Sequence, residues 1–249
     1  MTNIHFLVDK VGITWYINND TMSFIRGGYI LPKVTDEYLA EKKEYILECT
    51  AEILREKPLY LITMRDIIKQ AGFSQGAIYR YYGNIDEIYI DYINKHTTKT
   101  SLEERIDSLL SLKQTEKEIL TECFVAMGEY IEELLRSGTG KTFFELLILY
   151  SPDQEKSMNV FPRLKFKQSL EYAQMKILTY TMDNIAKGIF IPQIPLESLI
   201  LFVRAFIDGI AQTVIFDPNA DKGQDPQNVI DVPAMFRTLA KAVIAFLEE

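Results

Sequence analysis

ITMRDIIKQAGFSQGAIYRYYGNIDEI, residues 62–88, sets out three helix starts and two helix stops in one short stretch. Thr63 can cap a first short helix by accepting a backbone N–H. Met64, Ile67 and Ile68 follow at i, i+3, i+4 spacing, which suits an amphipathic helix. Ala71-Gly72 should end it, because glycine enters the left-handed region without a Cβ clash. Ser74 caps a second helix that begins Gln75-Gly76-Ala77. One polar and two very small residues let that helix start approach a flat partner closely. Ile78 and Tyr81 would anchor the second helix inward, leaving Gln75, Tyr79 and Arg80 facing out. Gly83-Asn84 breaks the chain again, and Asn84, Asp86 and Glu87 open a third helix with acidic residues at the positive end of its dipole.

The segments Thr63-Met64-Arg65-Asp66-Ile67, Ala71-Gly72-Phe73-Ser74-Gln75-Gly76, Ile78-Tyr79-Arg80-Tyr81-Tyr82 and Asp86-Glu87-Ile88 resemble, in that order, the TetR/AcrR-type transcriptional regulators. The resemblance is strong from about Thr35 to Tyr92. Beyond it, only the helical layout and the Gly188–Pro195 joint match. It implies an all-α fold: an N-terminal three-helix helix-turn-helix head joined to a larger C-terminal helical domain for ligand binding and dimerisation. Two positions depart from the family pattern. Ile68 stands where a small residue is usual. Ile85 stands where a lysine commonly reaches a DNA phosphate.

The residues themselves support DNA readout. Gln75 can pair in bidentate fashion with the N6/N7 edge of adenine, and Arg80 can reach guanine or a phosphate. Gly76 and Ala77 permit close approach, and could meet a thymine methyl. Thr63, Ser74, Tyr79 and Tyr82 carry hydroxyls suited to phosphate oxygens, which set register without reading sequence. With Arg65 these make the expected DNA-contact set. The competing reading makes the tyrosines core aromatics with wet hydroxyls. It is preferred for Tyr81, set aside for Tyr79, and evenly balanced for Tyr82. Lys33, ahead of the first helix, suits either a backbone contact or plain solvation.

A net charge of −8 is unusual for a DNA binder. Charges further apart than about 8 Å are largely screened at physiological salt, so the local surface governs phosphate contact. From Lys57 to Ile85 the charged residues are Lys57, Arg65, Asp66, Lys69 and Arg80, a positive set. The acidic excess lies elsewhere, including Glu44, Glu48 and Glu52. Affinity should therefore rest on groove contacts and fall steeply with salt.

Composition is that of a globular chain, with 47% hydrophobic and 25% charged residues, ample for a core. No run approaches the roughly 18 apolar residues of a membrane span. Asp9, Lys10, Asn18, Asn19 and Asp20 interrupt any secretory apolar core. A cytoplasmic protein without a membrane partner is expected. Cys49 and Cys123 sit in helical patterns far apart and read as buried free thiols.

Residues 1–32 form an extension of uncertain role. Phe6, Val8, Val11, Ile13, Trp15 and Ile17 alternate loosely and hint at a strand pair, before Gly27-Gly28 and Pro32. An ordered arm and a start at Met22 both remain open. The head is assigned to 33–83, with a first helix to about Glu56 that turns Leu39, Ile46, Cys49, Ile53 and Leu54 inward. The effector-binding and dimerisation domain is assigned to 84–249. There, helices are expected over about 85–99, 102–112, 115–136 and 141–150. A long helix opened by Pro162 and running to Lys187 has two apolar stripes and reads as central. Helices opened by Pro195 and Pro233 flank a loop at 219–231.

Stripes on those last two helices suggest a four-helix homodimer interface through Phe202, Phe206, Gly209, Ile210, Leu239, Val243 and Phe246. The competing reading makes them intrachain core. A cavity for a small apolar or aromatic effector is implied by the resemblance alone. Its candidate lining is Met127, Tyr130, Phe144, Leu147, Tyr150, Phe166, Met175 and Phe206, flexible or flat side chains that can accept such a molecule.

Enzyme constellations fail. Gly138-Thr139-Gly140-Lys141-Thr142 evokes a phosphate loop, but Leu135 occupies the leading glycine position and no strand precedes it. His5 and His96 are isolated, and no nucleophile-elbow serine occurs. No cofactor, metal or catalytic residue is expected. The sequence reading is a DNA-binding regulator, a repressor released by an effector. The alternative is a helical small-molecule-binding or scaffold protein whose head has lost DNA affinity.

Overall fold

The computed structural model describes residues 5–8, 14–18, 21–26, 29–30, 35–97, 101–137, 139–215 and 230–248. Lys33, Gly138 of the phosphate-loop look-alike, and all but the last two residues of the expected 219–231 loop lie outside the described residues. The chain divides into two compact units, Met1–Glu48 and Cys49–Glu249.

In the first unit, β1 (His5–Val8), β2 (Thr14–Asn18), β3 (Thr21–Arg26) and β4 (Tyr29–Ile30) form an antiparallel sheet in sequence order. The register pairs Leu7 with Trp15, Trp15 with Phe24, and Ile25 with Ile30. The loose alternation therefore builds four strands rather than one pair, an addition to an otherwise helical fold. Helix α1 (Asp36–Glu56) begins in this unit. The Thr35 hydroxyl accepts the Tyr38 N–H at 3.2 Å, and Asp36 and Glu37 complement the helix dipole. Leu39, expected inward, is exposed, whereas Ile46, Cys49 and Ile53 are buried.

The second unit continues through a 3-10 turn (Leu59–Leu61), α2 (Met64–Ala71), α3 (Gln75–Ile78), α4 (Ile85–Lys95), α5 (Leu102–Leu110), α6 (Glu116–Arg136) and α7 (Thr139–Tyr150). Then come α8 (Gln154–Val160), a second 3-10 turn (Phe161–Arg163), α9 (Lys165–Ala186), α10 (Leu196–Ile215) and α11 (Val232–Ala245). Pro162 sits in the 3-10 turn, so α9 starts later than its proline suggests. Pro233 does open α11, with the Asp231 carboxylate accepting the Ala234 N–H at 2.9 Å. Helix α8 was not expected; Asp153 caps it, accepting the Lys156 N–H at 3.0 Å.

The core is centred on α6, not on α9. Cys123, Phe124, Met127, Tyr130 and Ile131 are buried on α6, which packs against α5, α7, α9, α10 and most closely α11. A Cβ on Gly128 would lie 2.8 Å from Phe236 Cβ, so only glycine admits that approach. On α9, Ala173, Ile177, Thr181 and Asn184 make one buried face. Met175 and Met182, seven residues apart on another side, face solvent. An apolar residue can face water without penalty enough to turn a helix, so the second stripe misled the placement.

Candidate nucleic-acid interface

The head is assembled by side chains that satisfy helix ends. Thr63 Oγ1 accepts the Asp66 N–H at 3.3 Å while Asp66 Oδ2 accepts the Thr63 N–H at 2.9 Å, a reciprocal capping box. The Thr63 hydroxyl also donates to Asp66 Oδ2 at 2.6 Å, and Lys57 Nζ approaches Asp66 Oδ1 at 3.0 Å. The hydrogen bond from the Thr63 side chain, then that from Lys57, hold the Asp66 carboxyl well below the usual range. Lys57 is thereby paired, leaving Arg65, Lys69 and Arg80 as the outward cations of α2 and the region after α3.

Gly72 stops α2 at φ 66°, the left-handed value the sequence required. Ser74 Oγ then accepts the Ala77 N–H at 3.3 Å and starts α3, a single turn. Ile67, Ala71 and Ile78 are buried and lock α2 against α3. Gln75 and Gly76 are exposed, and nothing lies within 4 Å of a Cβ built on Gly76. Ala77 is half-buried, Arg65, Ser74 and Arg80 are exposed, and Tyr79 is 46% exposed. The exposed groups from α2 to the end of α3 thus include a carboxamide, open space at Gly76, a phenol and two arginines.

Tyr82 corrects the expected contact set. It is only 1% exposed and belongs to the core, so it cannot present its ring edge to a duplex. Tyr81, expected inward, is half-buried and leans on Phe73 with ring centroids 6.2 Å apart. Both the Tyr81 and Tyr82 N–H groups donate to the Ile78 carbonyl, at 2.9 and 3.1 Å. The chain leaves the α-helix there, and the inward position falls on i+4 rather than i+3.

Asn84 Oδ1 accepts the Glu87 N–H at 3.0 Å, and Glu87 Oε2 accepts the Gly83 N–H at 2.7 Å, so α4 starts fully capped. Ile85 is half-buried at this start and offers no cation.

The expected effector residues differ in burial. Met127, Tyr130, Phe144, Tyr150 and Phe166 are buried, and Leu147 and Phe206 half-buried, in the packed interior. Met175 is 65% exposed on α9 and is removed from the set. A cleft of about 150 Å³ between α5 and α6 is lined by Leu102, Arg105, Ala126, Glu129, Tyr130 and Glu133, with an Arg105–Glu129 ion pair. Of the expected residues only Tyr130 reaches it. Its volume is below the roughly 300–1,000 Å³ of ligand sites. The sequence signal was there in the α6 face Ala126, Glu129, Tyr130, Glu133, but it looked like an ordinary solvated edge.

The expected dimer residues divide. Ile210, Leu239 and Val243 are buried within the protomer and are corrected to intrachain core. Phe206 stacks edge-on to Phe236 at 5.7 Å, and Phe202 to Phe246 at 5.8 Å. Gly209 is exposed with open space around it, and Leu201, missed from sequence, is 66% exposed. Among the described residues α10 is the one helix long and apolar enough, by length and composition, to cross a membrane. Arg204 and Asp208 lie exposed in its middle.

Among the described residues no three His, Cys, Asp or Glu side chains are placed to hold a metal. Cys49 and Cys123 are buried and form no disulfide with each other, and burial pushes the Cys123 thiol up to about 12. At neutral pH it is a thiol, not a nucleophile.

Residues 46–92 match the family described as bacterial regulatory proteins, tetR family. The chain is similar to the uncharacterized HTH-type transcriptional regulator YfiR of Bacillus subtilis, at 24% identity over 74% of this chain and 85% of that one. It is also similar to the HTH-type transcriptional repressor KstR2 of Mycolicibacterium smegmatis, at 22% identity over 66% of this chain and 75% of that one. In fold it is similar to the crystal structure of PfmR from Thermus thermophilus, with a TM-score of 0.50 and 19% identity over 82% of this chain and 99% of that chain.

Proposed function

We propose that this chain is a TetR-family transcriptional regulator: a cytoplasmic, homodimeric repressor that a small molecule releases from its operator. The observation that carries the reading is the capped, outward start of α3. Ser74 holds the turn, Gln75 is exposed, Gly76 has open space where a Cβ would lie, and Arg65, Tyr79 and Arg80 are exposed close by in the sequence. Gln75 reads a base edge, Gly76 and Ala77 let the backbone close on the groove, and Arg65, Thr63, Ser74, Tyr79 and Arg80 set register on phosphates. The repressor role is supported by similarity to KstR2, and action by binding rather than catalysis by the regulators it resembles.

The head comprises residues 33–83, and the effector and dimerisation domain 84–249. The exposed face of α10, with Leu201, Phe202, Ala205 and Gly209, is the surface a second copy covers. Small residues at 205 and 209 bring two such helices close, and the polar pair Arg204 and Asp208 suits a protein partner better than hydrocarbon. Two heads then meet half-sites about 34–36 Å apart. An effector that favours another separation weakens operator binding by its differential affinity for the two states. The effector site lies among α6, α7 and α9 around the buried Tyr130, Phe144 and Phe166, and movement of these helices opens it.

A mobility-shift titration with duplex captured from sheared genomic DNA tests this reading. Gln75→Ala should relax base preference, and Tyr79→Phe should weaken every duplex alike. Unchanged binding in both variants refutes the placement of the reading helix.

A further inference from the structure

Three contacts tie α4 and the turn that precedes α2 to the later helices, and two of them are helix caps borrowed from a distance. Helix α9 begins at Lys165 after Leu164, which supplies no capping side chain. The missing acceptor comes from α4: Asn94 Oδ1 accepts the Lys165 N–H at 2.8 Å. The other half of the same carboxamide donates to the Arg163 carbonyl at 2.9 Å. The reverse arrangement occurs at the 3-10 turn that leads into the helix-turn-helix. Its cap residue, Pro58, has no side-chain hydrogen bond, and Glu145 Oε2 of α7 accepts the Leu59 N–H at 2.7 Å.

The third contact sits at the opposite end of α4 from Asn94. The Tyr150 hydroxyl at the end of α7 donates to Asp86 Oδ1 in the first turn of α4. Lys156 of α8 approaches the same carboxylate at 4.0 Å and the Tyr150 ring at 4.5 Å. Asp86 and Asn94 are eight residues apart, about 12 Å along the helix axis. One attachment point would leave α4 free to pivot. Two points that far apart fix its direction, and a third holds the turn that feeds α2.

An unsatisfied helix end has to find water or another partner, so a borrowed cap makes the position of one element a condition for the good geometry of another. Helix α9 cannot shift its first turn without pulling on α4. Helix α7 cannot rotate without releasing both the 3-10 turn and Asp86.

We propose that Asn94, Glu145 and the Asp86–Tyr150 pair are positioning residues that transmit movement of α7 and α9 to the orientation of α2 and α3. The inference rests on the regulator reading for its purpose, since head orientation matters to a protein that reads two half-sites. Its geometry is independent of DNA.

Hydrogen exchange read by mass spectrometry on the full-length protein, without DNA or ligand, tests the coupling. Tyr150→Phe removes only a hydroxyl, and Asn94→Ala removes both borrowed bonds. Each should raise exchange across residues 59–82 by about three- to tenfold, within the worth of the hydrogen bonds removed, while α6 and α11 keep their protection. Asn94→Asp keeps the acceptor for Lys165 and should restore protection at the start of α9 and part of that in the head. Exchange raised only beside the substituted residue, or raised evenly over the whole chain, overturns the proposal. A protein that passes this test and fails to bind any duplex would contradict the regulator reading alone.

Discussion

Across the helix-turn-helix and into the helix that follows it, each short helix begins on its own side chain: Thr63 for α2, Ser74 for α3 and Asn84 for α4. The C-terminal helices also use local caps, such as Thr115, Asp153 and Asp231, but their arrangement comes from contacts between distant parts of the chain. Gly128 of α6 meets Phe236 of α11, and α9 takes its cap from Asn94. The head is therefore specified by neighbours in sequence and leaves its functional face in water. The other region is specified by packing, and its working surfaces are whatever that packing leaves uncovered. On the proposed reading, local specification keeps a one-turn helix rigid enough to present Gln75, while packing leaves a region that a ligand could repack.

The largest effect that sharpens this contrast concerns Tyr82. As a buried ring, Tyr82→Ala should cost about 3–5 kcal/mol in chemical denaturation. Retained stability with lost DNA binding would return Tyr82 to the surface role the sequence allowed. Next comes Gly128→Val, which forces atoms into the α6–α11 contact and should cost about 1–3 kcal/mol. A thermal midpoint unchanged from wild type would show that this approach is looser than described.

On the head, Gln75→Ala should remove about 1–3 kcal/mol of discrimination between matched and mismatched duplexes, with the unfolding midpoint unchanged. If it loses stability instead, the outward placement of α3 is wrong. The smallest effect is at the caps, where Thr63→Ala should cost about 1 kcal/mol. Its pH dependence follows from Asp66, whose carboxyl is depressed in the folded state. That contribution is present above the unfolded value near 4 and is lost as pH falls through the lower folded value. Acid titration of wild type and Asp66→Asn should diverge above about pH 4 and converge in stronger acid; parallel curves would refute the capping box.

The same contrast explains what could be read from sequence. Gly72, Ser74 and Asn84 announce their conformations by residue type, so the helix-turn-helix was legible almost residue by residue. The sequence turns Tyr81 inward and leaves Tyr82 balanced, because extending the helical period past Ile78 ignores where a one-turn helix ends. The central role of α6 was hidden by α9, whose Met175 and Met182 imitate a core stripe yet face solvent. Leu239 and Val243 looked as suitable for a partner as for the protomer's own core, and only the position of α6 decides between them. Helix α8 was missed although Asp153 carries a legible cap, because it has too few apolar positions to show a period. The borrowed caps at Asn94 and Glu145 have no local signal at all.

Selection from a random duplex library by the purified full-length protein tests the central claim most directly. Two outward α3 starts in a twofold assembly predict recovery of an inverted repeat with half-sites about one helical turn apart, abolished together with dimerisation. Enrichment of single, unrepeated sites, or no enrichment over bulk duplex at low salt, would contradict it.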